Sequence, residues 1–193
     1  MTETGYAQAS EVSYRLDQRD EVVWVSESWL GFAVANDAPE LTPERVRNQS
    51  LWNFVADPTT AHLYGQILAH VRRDEVVRFS FRCDSPSLLR LMEMTIRLKP
   101  DRLVEFATRA LRVEERKPVM LLARSAPRSE RRLGACGWCS RIKLGEDRWV
   151  GAETVVTELK LFEQERLPQL AHGICAACLA AVRRDLERGP GGY

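Results

Sequence analysis

The 193-residue chain carries 28 Lys and Arg against 27 Asp and Glu, a formal charge of +1, so bulk electrostatics offers no strong attraction to nucleic acid or anionic lipid. With 45% hydrophobic residues, 8% aromatics and a mean hydropathy of -0.30, the composition suits one medium globular domain or two small ones and excludes disordered and fibrous architectures. No uninterrupted run of about 18 apolar residues occurs, and the N-terminal stretch lacks the basic and apolar regions of a signal peptide, so a cytoplasmic protein without a membrane partner is expected.

Residues 1–13 are small and polar without period, a flexible lead-in. The β-branched and aromatic residues around Tyr14–Leu16 and Val22–Val25 flank a polar Asp17-Gln18-Arg19-Asp20 turn and predict a hairpin. Ser28 precedes a short apolar segment, and its hydroxyl is expected to cap a helix ending near Asn36. Thr42-Pro43-Glu44 resembles a second helix start, and an apolar knot follows at 51–55. Pro58 then opens the strongest helical pattern of this half, 59–73, with Leu63, Ile67, Leu68 and Val71 on one face. Alternating runs at 76–83, 89–99 and 103–113, joined by hairpin-length turns, predict three antiparallel strands with one wet face. Trp24 and Trp52 are expected in the core of this half, with the lining of a ligand cavity as the alternative. A last apolar run at 118–122 gives way to the Arg-, Ser- and Pro-containing stretch 124–133, which reads as a solvated linker.

The order strand, strand, helices, strand, strand, strand resembles that of PAS domains, and the residues extend the likeness. Val23 to Ala33 is similar to the passage from the second PAS strand into the first helix. Asn48 to Val55 resembles the family's G-x-x-x-x-D-F-I step, with Asn48 and Asn53 in place of Gly and Asp. The resemblance spans 14–123 and implies an α+β fold: a five-stranded antiparallel sheet with helices on one face, enclosing a small cavity that in some members holds haem, flavin or a metabolite. A flavin-adduct Cys motif is missing before Asp57. For haem, the resemblance points to an axial His on the helix before the third strand, where His62 and His70 stand. Cys83, beside Arg82 at a strand end, reads either as a reactive thiol or, preferably, as a half-buried turn residue.

Residues 134–188 carry the second signal, followed by a short tail at 189–193. Cys136-Gly137-Trp138-Cys139 precedes a hairpin pattern, an apolar helical face follows at Val155, Leu159 and Phe162, and Cys175-Ala176-Ala177-Cys178 runs into a final helix. Two C-x-x-C pairs in a reducing compartment predict a four-cysteine metal site at Cys136, Cys139, Cys175 and Cys178. Structural Zn2+ is the expected ion, with an iron–sulfur cluster or a thiol switch as alternatives. His172 is an alternative ligand or a hydrogen-bond donor to a sulfur. Knuckle, hairpin and helix-borne ligands resemble a small treble-clef-like zinc subdomain. The segment also resembles a C-terminal module, C-x-W-C…H-G-I-C-x-x-C, that follows PAS or receiver domains in bacterial signalling proteins.

Kinase, P-loop and helix-turn-helix motifs are missing, so no enzyme is expected. The expected function is that of a sensory or regulatory protein acting through a protein partner or a homodimer, with the PAS-like half as the place for any small-molecule ligand. A redox or oxygen sensor using the Cys cluster is the alternative. A nucleic-acid-binding regulator is a further alternative, resting on a basic excess of four between Arg124 and Arg148 that is diluted by four glutamates just behind it.

Overall fold

A computed structural model describes residues 11–188. Its first layer is a five-stranded, wholly antiparallel sheet of β1 (Val12–Leu16), β2 (Val22–Val25), β3 (Val77–Arg82), β4 (Leu88–Leu98) and β5 (Val104–Glu115), in spatial order β2-β1-β5-β4-β3. The expected hairpin and three-strand meander are both present. Between β2 and β3 lie α1 (Ser28–Ala35), α2 (Pro43–Val46), a 3-10 turn at Leu51–Phe54, and α3 (Pro58–Val71).

Strand register sorts the side chains. Tyr14, Phe106, Ile96 and Val77 lie opposite one another across β1, β5, β4 and β3, facing the helices. The neighbouring row, Arg15, Glu105 and Arg97, faces away. On the inner side Leu63, Ile67, Leu68 and Val71 of α3 bury fully against Phe79, Ile96 and Phe106, as their helical spacing requires. α3 starts where Asp57 accepts the Thr60 N–H at 2.7 Å, with Pro58 in the first turn, where its missing N–H has no intrahelical partner to lose. Asn48 adopts a left-handed φ of 61° while donating its N–H to Val22 O at 2.7 Å. Asn tolerates that conformation better than most side chains do.

The C-terminal half is larger than the expected knuckle, hairpin and helix. It contains a four-stranded sheet in the order β8-β7-β6-β9, formed by β6 (Arg128–Cys136), β7 (Ile142–Lys143), β8 (Trp149–Val150) and β9 (Leu167–Gly173), together with α4 (Ala152–Glu158) and α5 (Ala176–Arg188). Leu121, Leu133, Ile142, Val155 and Leu161 form its own core.

Several expectations change. The stretch 124–133 is no solvated linker beyond Pro127, because from Arg128 onward it is β6, whose backbone pairs in parallel with β9. The Arg128 guanidinium donates to Leu121 O, to Ala123 O and, at 2.8 Å, to Pro168 O, binding three segments together. Order also begins earlier than Tyr14, since Val12 and Ser13 already pair with β5; residues 1–10 and 189–193 lie outside the described residues. Ser28 does not cap α1; its hydroxyl donates to Glu11 O at 2.8 Å. The helix predicted from Val155 stops at Glu158, and Lys160 turns left-handed at φ 50°. That break rotates the chain, so Leu161 is buried and Phe162 is 71% exposed. Pro168 lies inside β9. Trp24 stands on the outer face of the sheet, where the Arg15 guanidinium sits 4.4 Å from its ring centroid.

Candidate metal centre

The parallel pairing of β6 and β9 creates the site. Cys136 and Gly173 are register partners at the common end of the two strands, so the turns that follow them leave the sheet side by side. The first turn is a knuckle. Cys136 accepts the Ser140 N–H at 2.9 Å and donates its own N–H to Arg141 O at 2.8 Å, and Ser140 supplies the left-handed residue that closes it, at φ 55°. The second turn enters α5: Leu179 donates to Cys175 O at 3.0 Å as the first helical bond, which places Cys175 at the cap and Cys178 one turn on, on the same face. Gly137 N–H to Gly173 O at 2.9 Å ties the two turns together.

These elements bring Cys136, Cys139, Cys175 and Cys178 into one cluster, with all four sulfurs within 4.8 Å of one another. The Cys139 and Cys175 sulfurs are 3.9 Å apart. A tetrahedral ion with metal–sulfur bonds of about 2.3 Å sets its sulfurs about 3.8 Å apart, so the donor set fits one metal ion. Cys136 and Cys175 are buried, and Cys139 and Cys178 half-buried.

The electrostatics differ between the four. Burial alone raises the Cys136 thiol, but the N–H groups of Cys175, Cys139 and Trp138 aimed at its sulfur outweigh that and bring it below the ordinary thiol value. The Cys175 N–H lies 3.4 Å from that sulfur. Cys139 is pushed up to about 11, chiefly by burial and then by its neighbouring sulfurs. Cys178 is raised further by the same causes. A divalent cation is the partner that such a crowded thiol set calls for, because it stabilises all four thiolates at once.

Other candidates lie elsewhere. His172 is exposed on β9 and is not a member of the cluster. His62 is exposed on α3, while His70 hydrogen-bonds Glu75 at 2.8 Å and lines the cleft toward Arg183 of α5. Neither faces the space between α3 and the sheet, which Leu63, Ile67, Phe79, Ile96 and Phe106 occupy. Cys83 is half-buried beside Asn36, its thiol raised mainly by burial, in a turn where Asp84 pairs with Arg82 and accepts the Arg90 N–H. That environment suits the turn residue and not a reactive thiol.

Sequence reasoning missed Trp138. It lies between two of the cysteines and is only 8% exposed, with its ring 5.7 Å from Tyr64 and 5.5 Å from Phe79. The signal it offered was a large aromatic in a tight turn, which needs a neighbouring surface in which to bury.

No protein-family model matches the chain, and no curated protein matches it. Among solved structures, a sensory box sensor histidine kinase from Vibrio cholerae is similar over 55% of this chain and 86% of its own, at 10% identity and a TM-score of 0.39. No helix among the described residues is long and apolar enough to cross a membrane.

Proposed function

We propose that the protein is a PAS-like sensory or regulatory module, acting through contact with a protein partner or a second copy of itself, in which Cys136, Cys139, Cys175 and Cys178 hold one structural Zn2+. The observation that carries the metal part is the convergence of four sulfurs within 4.8 Å at the end of the β6–β9 pair. That spacing favours a single ion over an iron–sulfur cluster, whose several irons and sulfides hold their thiolates further apart. Four thiolates fill a tetrahedral shell and leave no position for a reacting water, which favours a structural over a catalytic role. The sensory part rests on the two strands, intervening helices and three further strands in one antiparallel sheet.

Contact with protein is favoured over contact with nucleic acid because three of the seven basic residues between Arg124 and Arg148 are already engaged within the chain. Arg124 pairs with Glu40, Arg148 with Glu158, and Arg128 with backbone carbonyls. By contrast, α1 presents Leu30 and Val34 to solvent at 41% and 56% exposure. Elemental analysis and an absorption spectrum of protein purified without added metal test the proposal. One zinc per chain without a visible band supports it, and iron with broad visible absorption contradicts it. A filter-binding titration that stays flat from low to moderate salt supports a protein partner, whereas tight, salt-dependent retention of DNA or RNA opposes it.

A further inference from the structure

Besides the Arg124–Glu40 and Arg116–Glu153 ion pairs, the two halves meet through segments whose shape the metal would fix. Trp138, bracketed by Cys136 and Cys139, places its indole between Tyr64 of α3 and Phe79 of β3 and belongs to the same buried cluster as Leu63, Ile67 and Phe106. Its backbone carbonyl accepts the Arg82 N–H at 2.7 Å, and the Ser140 hydroxyl donates to Arg82 O at 3.3 Å, so the knuckle also extends the β3 edge. On the other side, Gly173 packs against the Asp57 carboxylate that caps α3; a Cβ there would sit 3.2 Å from Asp57 Cγ. α5, which starts at the second cysteine pair, lies against α3 and buries Val182 in the main core.

The indole is held by shape and tether alone. Trp138 Nε1 is buried with no hydrogen-bond partner among the described residues, so nothing polar fixes it in the core. A four-residue knuckle whose ends are joined to one ion restricts where the indole can go; with the sulfurs released, the restraints left are the packing of the ring and a few single hydrogen bonds, to Arg82 and Gly173 and within the turn.

We propose that the metal centre is a clasp that keeps Trp138 inserted between α3 and β3, so that release of the metal withdraws the indole and loosens the helix–sheet core of the PAS-like half. The proposal rests on the metal reading above and adds a direction of transmission: the state of the four cysteines is read at α3 and β3, some distance along the chain from any cysteine ligand. The chemical signal this implies is the availability of a thiophilic divalent cation, with no ligand entering the sheet half.

Hydrogen exchange of the full chain, zinc-loaded and after chelation, tests it, with metal content measured on both samples. In the native protein, chelation is expected to lower protection of α3 and β3 amides by about tenfold or more. In Trp138→Ala, which keeps all four cysteines and its zinc, those amides are already less protected, and chelation changes them far less. Trp138→Phe keeps a ring in place and serves if the alanine variant does not fold; it is expected to fall between the two. Unchanged α3 and β3 protection after verified metal loss overturns the proposal, and so does an equal loss in the native protein and both variants. A purified chain with no metal, which takes up none from added zinc, overturns the metal reading itself and is seen separately in the elemental analysis.

Discussion

Replacing Glu105 with Gln removes a charge from the centre of the large sheet. The carboxylate is 4% exposed although it lies on the outer face, because Arg15, Arg97 and Lys99 fold over it. Arg15 Nε donates to one oxygen at 2.9 Å, and Arg97 donates to the other through Nε at 2.9 Å and a terminal nitrogen at 2.7 Å. Charge-assisted bonds contribute about 1.5–3 kcal/mol each before the desolvation of the carboxylate is set against them. The Arg97 side chain is 45% exposed, which screens its share. A net loss of about 2 kcal/mol at neutral pH follows, or a fall in melting temperature of about 4–8 °C for a chain of this length.

The pH dependence has a definite sign. Burial pushes the Glu105 carboxyl up, but the bonds from Arg97 and Arg15 and the charge of Lys99 outweigh it and hold the group below its ordinary value. A depressed folded-state pKa means that the stabilisation is present above the unfolded value of about 4.3 and fades as pH falls through the folded one. Denaturant melts of the native and Glu105→Gln proteins from neutral to acid pH should therefore converge at the acid end. A gap that is constant across the range, or no gap at neutral pH, refutes the reasoning.

Two substitutions probe how the halves are joined. Arg128→Ala strips three carbonyls of their guanidinium partner and should cost about 2–4 kcal/mol in chemical denaturation, with Lys a poor substitute because it lacks the planar fork; a cost below about 0.5 kcal/mol is what a surface linker would give. Gly173→Ala pushes a methyl to 3.2 Å from Asp57 Cγ, whose carboxylate is pinned as the α3 cap, and should destabilise by about 1–2 kcal/mol. The cost should shrink in an Asp57→Ala background, and strictly additive effects would argue against that contact.

The parts of the fold legible in the sequence are those fixed by local pattern. Alternation at Met92, Met94 and Ile96 marked the buried face of β4, helical spacing marked the core face of α3, and the C-x-x-C spacing marked all four clustered cysteines. What was hidden depends on distant partners. The polar half of β6, Arg128 to Arg132, reads as a linker because its strand character comes from pairing in parallel with β9, far along the chain. The choice between Leu161 and Phe162 for burial turns on a single left-handed residue, Lys160, which no periodicity announces. Trp138 is visible as a motif letter, but its insertion between Tyr64 and Phe79 exists only once the knuckle is docked on β3.

X-ray absorption at the edge of the bound metal tests the central claim most directly. The proposed zinc site predicts a zinc edge and four sulfur scatterers at about 2.3 Å, with no nitrogen or oxygen in the shell and no second metal nearby. A nitrogen in the shell would bring His172 into the site against its exposed position on β9, and an iron edge with metal–metal scattering would replace the single-ion site with a cluster; either result contradicts the proposed centre.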